Sequence, residues 1–256
     1  MKKLTIKEIK EKLLLIDHED DSFLAELKLD ERKGAQSALK QWQRKQNLFQ
    51  LEINQYHEKN EFERKAIKAG FQSIAGIDEV GRGPLAGPVV AAAVILDPEM
   101  PIYGLDDSKK LSLTKKNQLF DEINEKAIAV GIGIVSAEEI DRLNILQATK
   151  KAMNLATESL TTPPDLLLVD AVKLDNPIPQ EVIIKGDLRS NSIAAASIIA
   201  KVTRDQMMTE YDETYPGYGF ASNAGYGTKE HLVGVENLGA TPIHRRSFSP
   251  VPKYII

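Results

Sequence analysis

The chain has 256 residues, of which 42% are hydrophobic, and it carries no cysteine and a formal net charge of −4. This size allows a large hydrophobic core, and the lack of cysteine excludes disulfides, zinc–thiolate sites and cysteine nucleophiles. Because the longest apolar run, residues 85–96, is too short to span a bilayer and the N-terminus lacks a signal-peptide pattern, we expect a soluble, cytoplasmic protein.

The negative charge is concentrated after residue 70. Residues 1–70 contain 15 basic and 13 acidic side chains, and the remainder contains 18 basic and 24 acidic ones. A site built from several carboxylates would account for much of this deficit, and bound divalent cations would reverse its local field. Net charge therefore does not exclude a nucleic-acid partner.

Residues 1–70 are predicted to form an N-terminal helical extension, separate from a second domain over residues 71–256. Thr5 and Glu8 match a capping box for a short helix, and Asp30 is placed to begin a much longer one. Apolar residues recur at loose helical spacing up to Lys68, amid many charges. Two roles remain open for this extension, a solvated helix that packs on the core and an arm that binds a duplex.

After Phe71 the pattern becomes rich in strands. Two strands, at 74–80 and 89–96, are expected to pair through a glycine turn, and further strands are expected at 130–135, 166–169 and 182–184. Helices are predicted over 137–160, in two pieces around Asn144, and over 192–211. A hairpin followed by alternating strands and helices predicts an α/β fold with a mixed sheet flanked by helices.

Acidic residues follow three of these strands. Asp78 and Glu79 close the first one, and Asp170 and Asp187 follow two later ones. If the strands are neighbours, the four acids converge on one edge of the sheet. Oxygen ligands of this kind suit Mg²⁺ or Mn²⁺, and a pair of such ions is the usual apparatus for cleaving a phosphodiester. Each aspartate alone also fits a helix cap or a turn.

The turn after the first strand contains Gly81, Arg82 and Gly83. Glycines allow a sharp turn and close approach of a ligand, and an arginine beside exposed amides suits phosphate. The spacing of the glycines also resembles a dinucleotide fingerprint, but that motif must open a helix. Here a strand-like run follows, so we reject the dinucleotide interpretation.

Other polar groups are candidates for contacts with substrate. Ser108 and Lys109 suit phosphate oxygens, although a helix-start turn explains them equally well. Tyr226 lies between two glycines and suits stacking on a base or sugar. Three cations are candidates to pair with the acids or with a nucleic-acid backbone: Lys185, Lys201 and Arg204. Packing or capping roles are favoured for two histidines, His231 and His244.

Together these motifs resemble the bacterial ribonuclease HII family over roughly residues 72–250. The clearest match is GIDEVGRGPLAGPVV at residues 76–90. Others follow in order: LDDSKKL (105–111), LVD (168–170), KGD (185–187), AAASIIAKVTRD (194–205), YPGYGF (215–220), GYGTKEH (225–231) and HRRSF (244–248). Several ordered motifs make this resemblance much more specific than any single one.

The resemblance implies a ribonuclease H-like fold and a metal-dependent endonuclease. Its substrates would be RNA/DNA hybrids and DNA duplexes with embedded ribonucleotides, and its products would carry 5′-phosphate and 3′-hydroxyl ends. Four residues match the family's metal-binding acids: Asp78, Glu79, Asp170 and Asp187. Gly81, Arg82 and Gly83 match the loop that reads the ribose 2′-hydroxyl, and Tyr226 matches the tyrosine at the RNA–DNA junction. We expect two Mg²⁺ or Mn²⁺ ions and a monomer.

Three alternative functions compete with this interpretation. The related ribonuclease HIII family shares the fold but cleaves longer hybrids, and Arg82 and Tyr226 favour the HII type. A catalytically silent hybrid-binding module would gain nothing from four acids, and a dehydrogenase would need the dinucleotide fingerprint. The sequence departs from the family at Asn223 and Ala224, where many members have basic residues, so weaker backbone binding is expected there.

Overall fold

The computed structural model describes residues 4–16, 18 and 20–254. The chain divides into two compact units, Met1–Gln55 and Tyr56–Ile256, and the division falls inside a long helix. None of the helices in the described part of the chain has the length and apolar character needed to cross a membrane.

The first unit is helical. It contains α1 (Ile6–Leu13), α2 (Ser22–Lys28) and most of α3 (Lys33–Lys59). The predicted capping box is present, with Thr5 accepting from the amide of Glu8 and the Glu8 carboxylate accepting from the amide of Thr5. The apolar faces of the helices form a small core of their own: Ile9, Leu13, Ile16, Phe23, Leu24, Leu27, Ala35, Ala38, Leu39 and Trp42.

The second unit contains the end of α3 and all of the remaining elements. Its helices are α4 (Glu61–Lys68), α5 (Leu113–Lys126), α6 (Ala137–Leu143), α7 (Ile145–Glu158), α8 (Asn191–Thr214), α9 (Phe220–Asn223) and α10 (Lys229–Leu238). Its strands are β1 (Ile74–Val80), β2 (Val89–Ile95), β3 (Ala129–Val135), β4 (Leu166–Asp170) and β5 (Gln180–Ile183), and two short 3₁₀ turns lie at Gly186–Leu188 and Val251–Tyr254.

The five strands form one mixed sheet in the order β3-β2-β1-β4-β5. The pairs β1–β2 and β2–β3 are antiparallel, whereas β1–β4 and β4–β5 are parallel. Between β1 and β4 the chain passes through β2, α5, β3, α6 and α7, whereas residues 171–179 connect β4 to β5 without a helix. This arrangement confirms the predicted α/β fold with a mixed sheet flanked by helices.

Helices cover both faces of the sheet. Residues of α6 and α7 join one apolar cluster, and residues of α5 and α8 join the other. The first turn of α8 lies very close to β1 at Gly76, where an added Cβ would come within 2.1 Å of the carbonyl carbon of Ser192. Only glycine allows this approach, which brings α8 next to the strand that carries the acidic pair.

Several predicted boundaries differ from the observed ones. The long N-terminal helix begins at Lys33 rather than Asp30, because the Asp30 carboxylate instead accepts from the amide and guanidinium of Arg32. Helix α2 was not predicted. Strand β5 ends at Ile183, so Asp187 lies in the following 3₁₀ turn and not at a strand end.

Candidate active site

The central strands β1 and β4 bring two of the predicted acids together. They run parallel, with Ile77 opposite Val169. The next residue of each strand is an aspartate, so Asp78 and Asp170 lie side by side at the same edge of the sheet. Each aspartate therefore owes its position to the register of two buried strands.

Glu79 joins these two aspartates in a compact acidic cluster. Asp78, Glu79 and Asp170 each offer a carboxylate oxygen, and these atoms all lie within 4.8 Å of one another. Asp78 is buried, and the other two are partly buried. Adjacent residues of a regular strand would point to opposite faces, but the chain leaves β1 at Val80 and the backbone turns. The predicted convergence of acids is thus observed for three of the four residues.

Burial and mutual repulsion disfavour the charged forms of all three acids. Burial, with the neighbouring charges of Glu79 and Asp170, raises the pKa of Asp78 well above its ordinary value. Burial likewise raises the pKa of Glu79, against the opposing effect of Arg82. Burial also raises the pKa of Asp170. Cations within the cluster would relieve this strain.

Hydrogen bonds fix the cluster but leave ligand capacity unused. Oδ1 of Asp78 accepts from the amide of Glu79 at 2.7 Å, and Oδ1 of Asp170 accepts from the amide of Gly186 at 2.6 Å. Oε1 of Glu79 accepts from Arg82 at 3.1 Å, whereas its Oε2 is buried and has no partner among the described residues. A buried, unpartnered carboxylate oxygen amid like charges fits a divalent cation.

Asp187 lies near this cluster but outside it. The structure places it one residue beyond Gly186, whose amide binds Asp170. Burial raises the pKa of Asp170 and the Gly186 hydrogen bond lowers it, and the charge of Asp187 adds a smaller raising effect. Asp187 is therefore within electrostatic reach of the cluster without sharing its closest spacing.

Two fully buried arginines, Arg245 and Arg204, donate hydrogen bonds to the carbonyls of the glycine turn next to the cluster. Arg245 donates from Nε to the carbonyl of Gly87 at 3.0 Å, from Nη1 to that of Arg82 at 3.0 Å, and from Nη2 to that of Gly81. Burial lowers its pKa to about 9, which leaves it charged at neutral pH. Gly81 has φ of 94°, a conformation that favours glycine.

Arg204 extends this support to a second loop. It donates to the carbonyls of Pro88 at 2.9 Å, Ala86 at 3.1 Å and Ala224 at 2.9 Å. These carbonyls belong to the end of the glycine turn and to the loop just before Tyr226. The two loops are thus bonded to one buried cation.

The amides of the turn face away from this support. With the carbonyls of Gly81 and Arg82 drawn inward, the amides of Arg82 and Gly83 donate to no group in the described part of the chain. Unpaired backbone donors in a turn of this kind form a cradle for an anion or a hydroxyl.

Tyr226 stands beside this cradle and is 45% exposed. A Cβ added at Gly83 would lie 3.5 Å from Cε1 of the Tyr226 ring, so the ring and the turn are in close proximity. The carbonyl of Tyr226 lies 2.9 Å from Nδ1 of His231, and Nε2 of His231 lies 3.0 Å from Nε2 of His244. Both histidines are buried, as the packing interpretation predicted.

Ser108 and Lys109 occupy different positions. Ser108 is buried and lies 3.2 Å from Ser197, oxygen to oxygen, so its hydroxyl is not presented on the surface. Lys109 is exposed, and its charge lowers the pKa of Asp170, although less than burial raises it. Of the two residues, only Lys109 is placed to act on the acids or on a bound phosphate.

The three additional cations lie in different surroundings. Arg204 was a candidate to pair with the acids or a nucleic-acid backbone, but it is fully buried and bonded to carbonyls. Lys201 pairs with Asp205 at 2.5 Å, one helical turn away on α8. Lys185 is exposed and has φ of 56°.

Sequence reasoning also missed two residues that shape the site. Ser197 of α8 hydrogen-bonds Asp78 and lowers its pKa, against the larger raising effect of burial. Its signal in the sequence was a hydroxyl within an apolar run of alanine and isoleucine. Arg245 supports the glycine turn from a distant part of the chain, and nothing in its local sequence indicates that contact.

Comparisons with known proteins agree with this geometry. The family profile "Ribonuclease HII" matches residues 75–251, and the profile "Ribonuclease HII N-terminal domain" matches residues 5–67. Ribonuclease HII of Enterococcus faecalis is 57% identical over 255 residues, which is 100% of both chains. That of Bacillus cytotoxicus is 53% identical over 255 residues, covering 100% of this chain and 98% of the relative.

A solved structure shows the same fold. The ribonuclease H2 of Pyrococcus horikoshii OT3 aligns with a TM-score of 0.61 at 25% identity, covering 72% of this chain and 97% of that one. Taken with the matched profiles and the full-length relatives, this places the chain in the ribonuclease HII family of ribonuclease H endonucleases.

Proposed function

We propose that this endonuclease hydrolyses the RNA strand of RNA/DNA hybrids and also incises DNA duplexes on the 5′ side of single embedded ribonucleotides. The observation that carries the proposal is the position of the acidic cluster. Asp78 and Glu79 directly precede the glycine turn in the chain, and the Tyr226 ring lies beside that turn. Groups suited to cleaving a phosphodiester therefore lie beside groups suited to recognising a ribose.

Divalent metal ions are the cofactors that ribonucleases H require, and we propose Mg²⁺ or Mn²⁺ for this chain. Asp78, Glu79 and Asp170 would hold them, and Asp187 would complete the site for a second ion. When bound, such ions supply a Lewis acid and an activated water for phosphodiester hydrolysis. The unpartnered Oε2 of Glu79 and the raised pKa values of the cluster support this assignment.

The chain's own side chains hold this arrangement before substrate binds. Asp78 and Asp170 each accept from a backbone amide, that of Glu79 and that of Gly186, so their orientation is set by the folded backbone rather than by the ligand. Arg82 pairs with Glu79 and is partly exposed, with 43% of its side chain accessible. It is therefore placed to exchange this partner for a phosphate oxygen of the substrate.

Recognition of the ribose falls to the glycine turn. The 2′-hydroxyl distinguishes RNA from DNA because it can donate and accept a hydrogen bond. The outward amides of Arg82 and Gly83 are donors for such a group, and the Tyr226 ring would pack against the sugar at the RNA–DNA junction. Lys109 is proposed to contact the phosphate backbone, and Ser108 supports the site through Ser197.

The remaining features of the proposal follow from the same chemistry. Cleavage on the 5′ side of the ribonucleotide leaves a 3′-hydroxyl and a 5′-phosphate. The enzyme is proposed to work as a cytoplasmic monomer, because one chain supplies all of the acids and both recognition loops.

A DNA duplex with one embedded ribonucleotide tests the function, with Mg²⁺ or Mn²⁺ as the sole divalent cation. The proposal predicts a nick on the 5′ side of the ribonucleotide, with a 3′-hydroxyl on one side of the nick and a 5′-phosphate on the other. Full activity on a long hybrid with no cleavage of this duplex would instead indicate the specificity of ribonuclease HIII. Binding without cleavage of either substrate would indicate a silent binding module.

A further inference from the structure

Helix α4 contributes one buried carboxylate to the second unit. Glu63 is 7% exposed, and its Oε1 accepts three hydrogen bonds. The donors are the hydroxyl of Ser190 at 2.6 Å, the hydroxyl of Ser192 at 2.7 Å and the amide of Ser192 at 3.0 Å. A buried carboxylate is costly unless it is bonded. Oε1 of Glu63 is held by those two serines, whereas its Oε2 has no partner among the described residues.

The two serines form the N-terminus of α8. Ser190 is the N-cap residue, and its hydroxyl oxygen accepts from the amide of Ile193 at 3.2 Å. Glu63 satisfies a second first-turn amide, that of Ser192, which the helix itself leaves unpaired. The negative charge also lies at the favourable end of the helix dipole. The N-terminus of α8 is thus capped both by Ser190 and by Glu63 of α4.

The N-terminus of α8 is hydrogen-bonded to the turn that carries Asp187. The amides of Arg189 and Ser190 both donate to the carbonyl of Gly186, at 2.9 and 2.8 Å. The amide of Gly186 donates to Asp170. Asp187 therefore lies between a catalytic aspartate on one side and the Glu63-bound serine cap on the other.

Two further features show that this turn needs support. Lys185, just before it, has φ of 56°, a left-handed conformation that persists only when its surroundings enforce it. On the other side, the guanidinium of Arg189 lies 5.0 Å from the centre of the Phe62 ring. Phe62 and Glu63 are adjacent in α4, so one helix holds the turn by two contacts.

We infer that Glu63 is a positioning residue for Asp187, acting through the serine cap of α8. The inference rests on the proposed metal-binding role of Asp187 and adds a determinant from outside the catalytic motifs. Glu63 lies within the part of the chain that matches the family's N-terminal profile, residues 5–67. That profile therefore includes a residue that supports the catalytic carboxylates.

Hydrogen exchange on the metal-free protein tests the positioning without relying on activity. Glu63→Ala removes the acceptor, so amides of residues 186–190 should exchange roughly tenfold faster, while amides of β2 stay protected. Glu63→Gln keeps the acceptor oxygen and should restore most of the protection. Glu61→Gln is the matched control, because Glu61 lies on the same helix and is exposed. Ser192→Ala removes one of the three donors, the Ser192 hydroxyl, and keeps the Ser192 amide, so it is the milder variant if Glu63→Ala fails to fold.

A Mg²⁺ titration of cleavage then links the turn to the site. Glu63→Ala should raise the half-saturating Mg²⁺ concentration by roughly fivefold to tenfold, with a much smaller change in kcat at saturating Mg²⁺. Unchanged exchange at residues 186–190, or an unchanged Mg²⁺ requirement, would overturn the inference. Asp187→Asn distinguishes a failure of this inference from a failure of the proposed function. If Asp187→Asn behaves as wild type, the metal-binding role in the proposed function is wrong, whereas a defect confined to Asp187→Asn rejects only the role of Glu63.

Discussion

The acidic cluster and the glycine turn are adjacent in the chain, yet they are stabilised in opposite ways. In the cluster, three acids crowd together, their pKa values are raised, and one buried oxygen of Glu79 lacks a partner. In the turn, two buried arginines are fully engaged with backbone carbonyls.

This difference separates two tasks. The folded backbone sets the geometry of the cluster, but the negative charges of its acids are not balanced until cations bind. The turn is complete without substrate, so its amides are already oriented when a ribose arrives. Preorganised donors of this kind cost no rearrangement at the moment of binding.

The largest expected effect comes from removing one charge from the cluster. Asp170→Asn keeps the shape of the side chain but loses a ligand charge, so we expect cleavage to fall by roughly 10³-fold or more. Binding of a hybrid duplex should change little, because the turn and Tyr226 are intact. Single-turnover cleavage and a binding titration measure the two quantities. Cleavage that persists in this variant would show that the metal assignment is wrong.

The next effect is on the turn. Arg245→Met leaves the carbonyls of Gly81, Arg82 and Gly87 without their donor, and we expect the free energy of unfolding to fall by about 2–4 kcal/mol. Arg246→Met is the matched control, since Arg246 is adjacent and exposed, and it should stay within about 0.5 kcal/mol of wild type. Denaturant unfolding measures both. Equal stability of the two variants would contradict the support assigned to Arg245.

A smaller effect is expected at Tyr226. Tyr226→Ala removes the exposed ring beside Gly83, and stacking of this kind contributes roughly 1–3 kcal/mol. Incision at a single ribonucleotide should therefore fall by about tenfold, while Tyr226→Phe should retain most of the activity. Cleavage of a long hybrid by Tyr226→Ala should be less affected. Equal losses on both substrates would show that Tyr226 does not act at the junction.

The smallest effect concerns stability in the absence of metal. Because the pKa of Asp78 is raised on folding, the folded state binds its proton more tightly than the unfolded state. Stability contributed by this group is present at low pH and is lost as pH rises from the ordinary value of 3.8 through the folded pKa. Asp78→Asn should consequently be more stable than the metal-free wild type at pH 7. Thermal unfolding in a chelator across this pH range tests the sign, and saturating Mg²⁺ should reduce the difference.

The sequence predicted the parts of the fold that depend on local pattern. Continuous apolar runs identified β1, β2 and β4, and turn chemistry around Asn144 separated α6 from α7. The register that places Asp78 next to Asp170 depends on pairing between two strands that are far apart in the chain. The local sequence does not reveal which strands are neighbours, so it could predict this contact only as a condition.

Other features were beyond local reasoning for a physical reason. Arg204 and Arg245 look like surface cations in the sequence, because charge alone does not indicate burial, and their partners are carbonyls far away in the chain. Ser108 belongs to a motif that suits phosphate, but its burial against Ser197 depends on how α8 packs. Helix α2 was missed because its few apolar residues gain their stability from packing in the first unit.

Diffraction from crystals soaked with Mn²⁺ tests the central claim most directly, since anomalous scattering locates the metal without reference to activity. The account predicts an anomalous peak within coordination distance of Asp78, Glu79 and Asp170, and its disappearance in Asp170→Asn. A protein that is active in Mn²⁺ but shows its peak elsewhere, or shows the same peak in Asp170→Asn, would contradict the account.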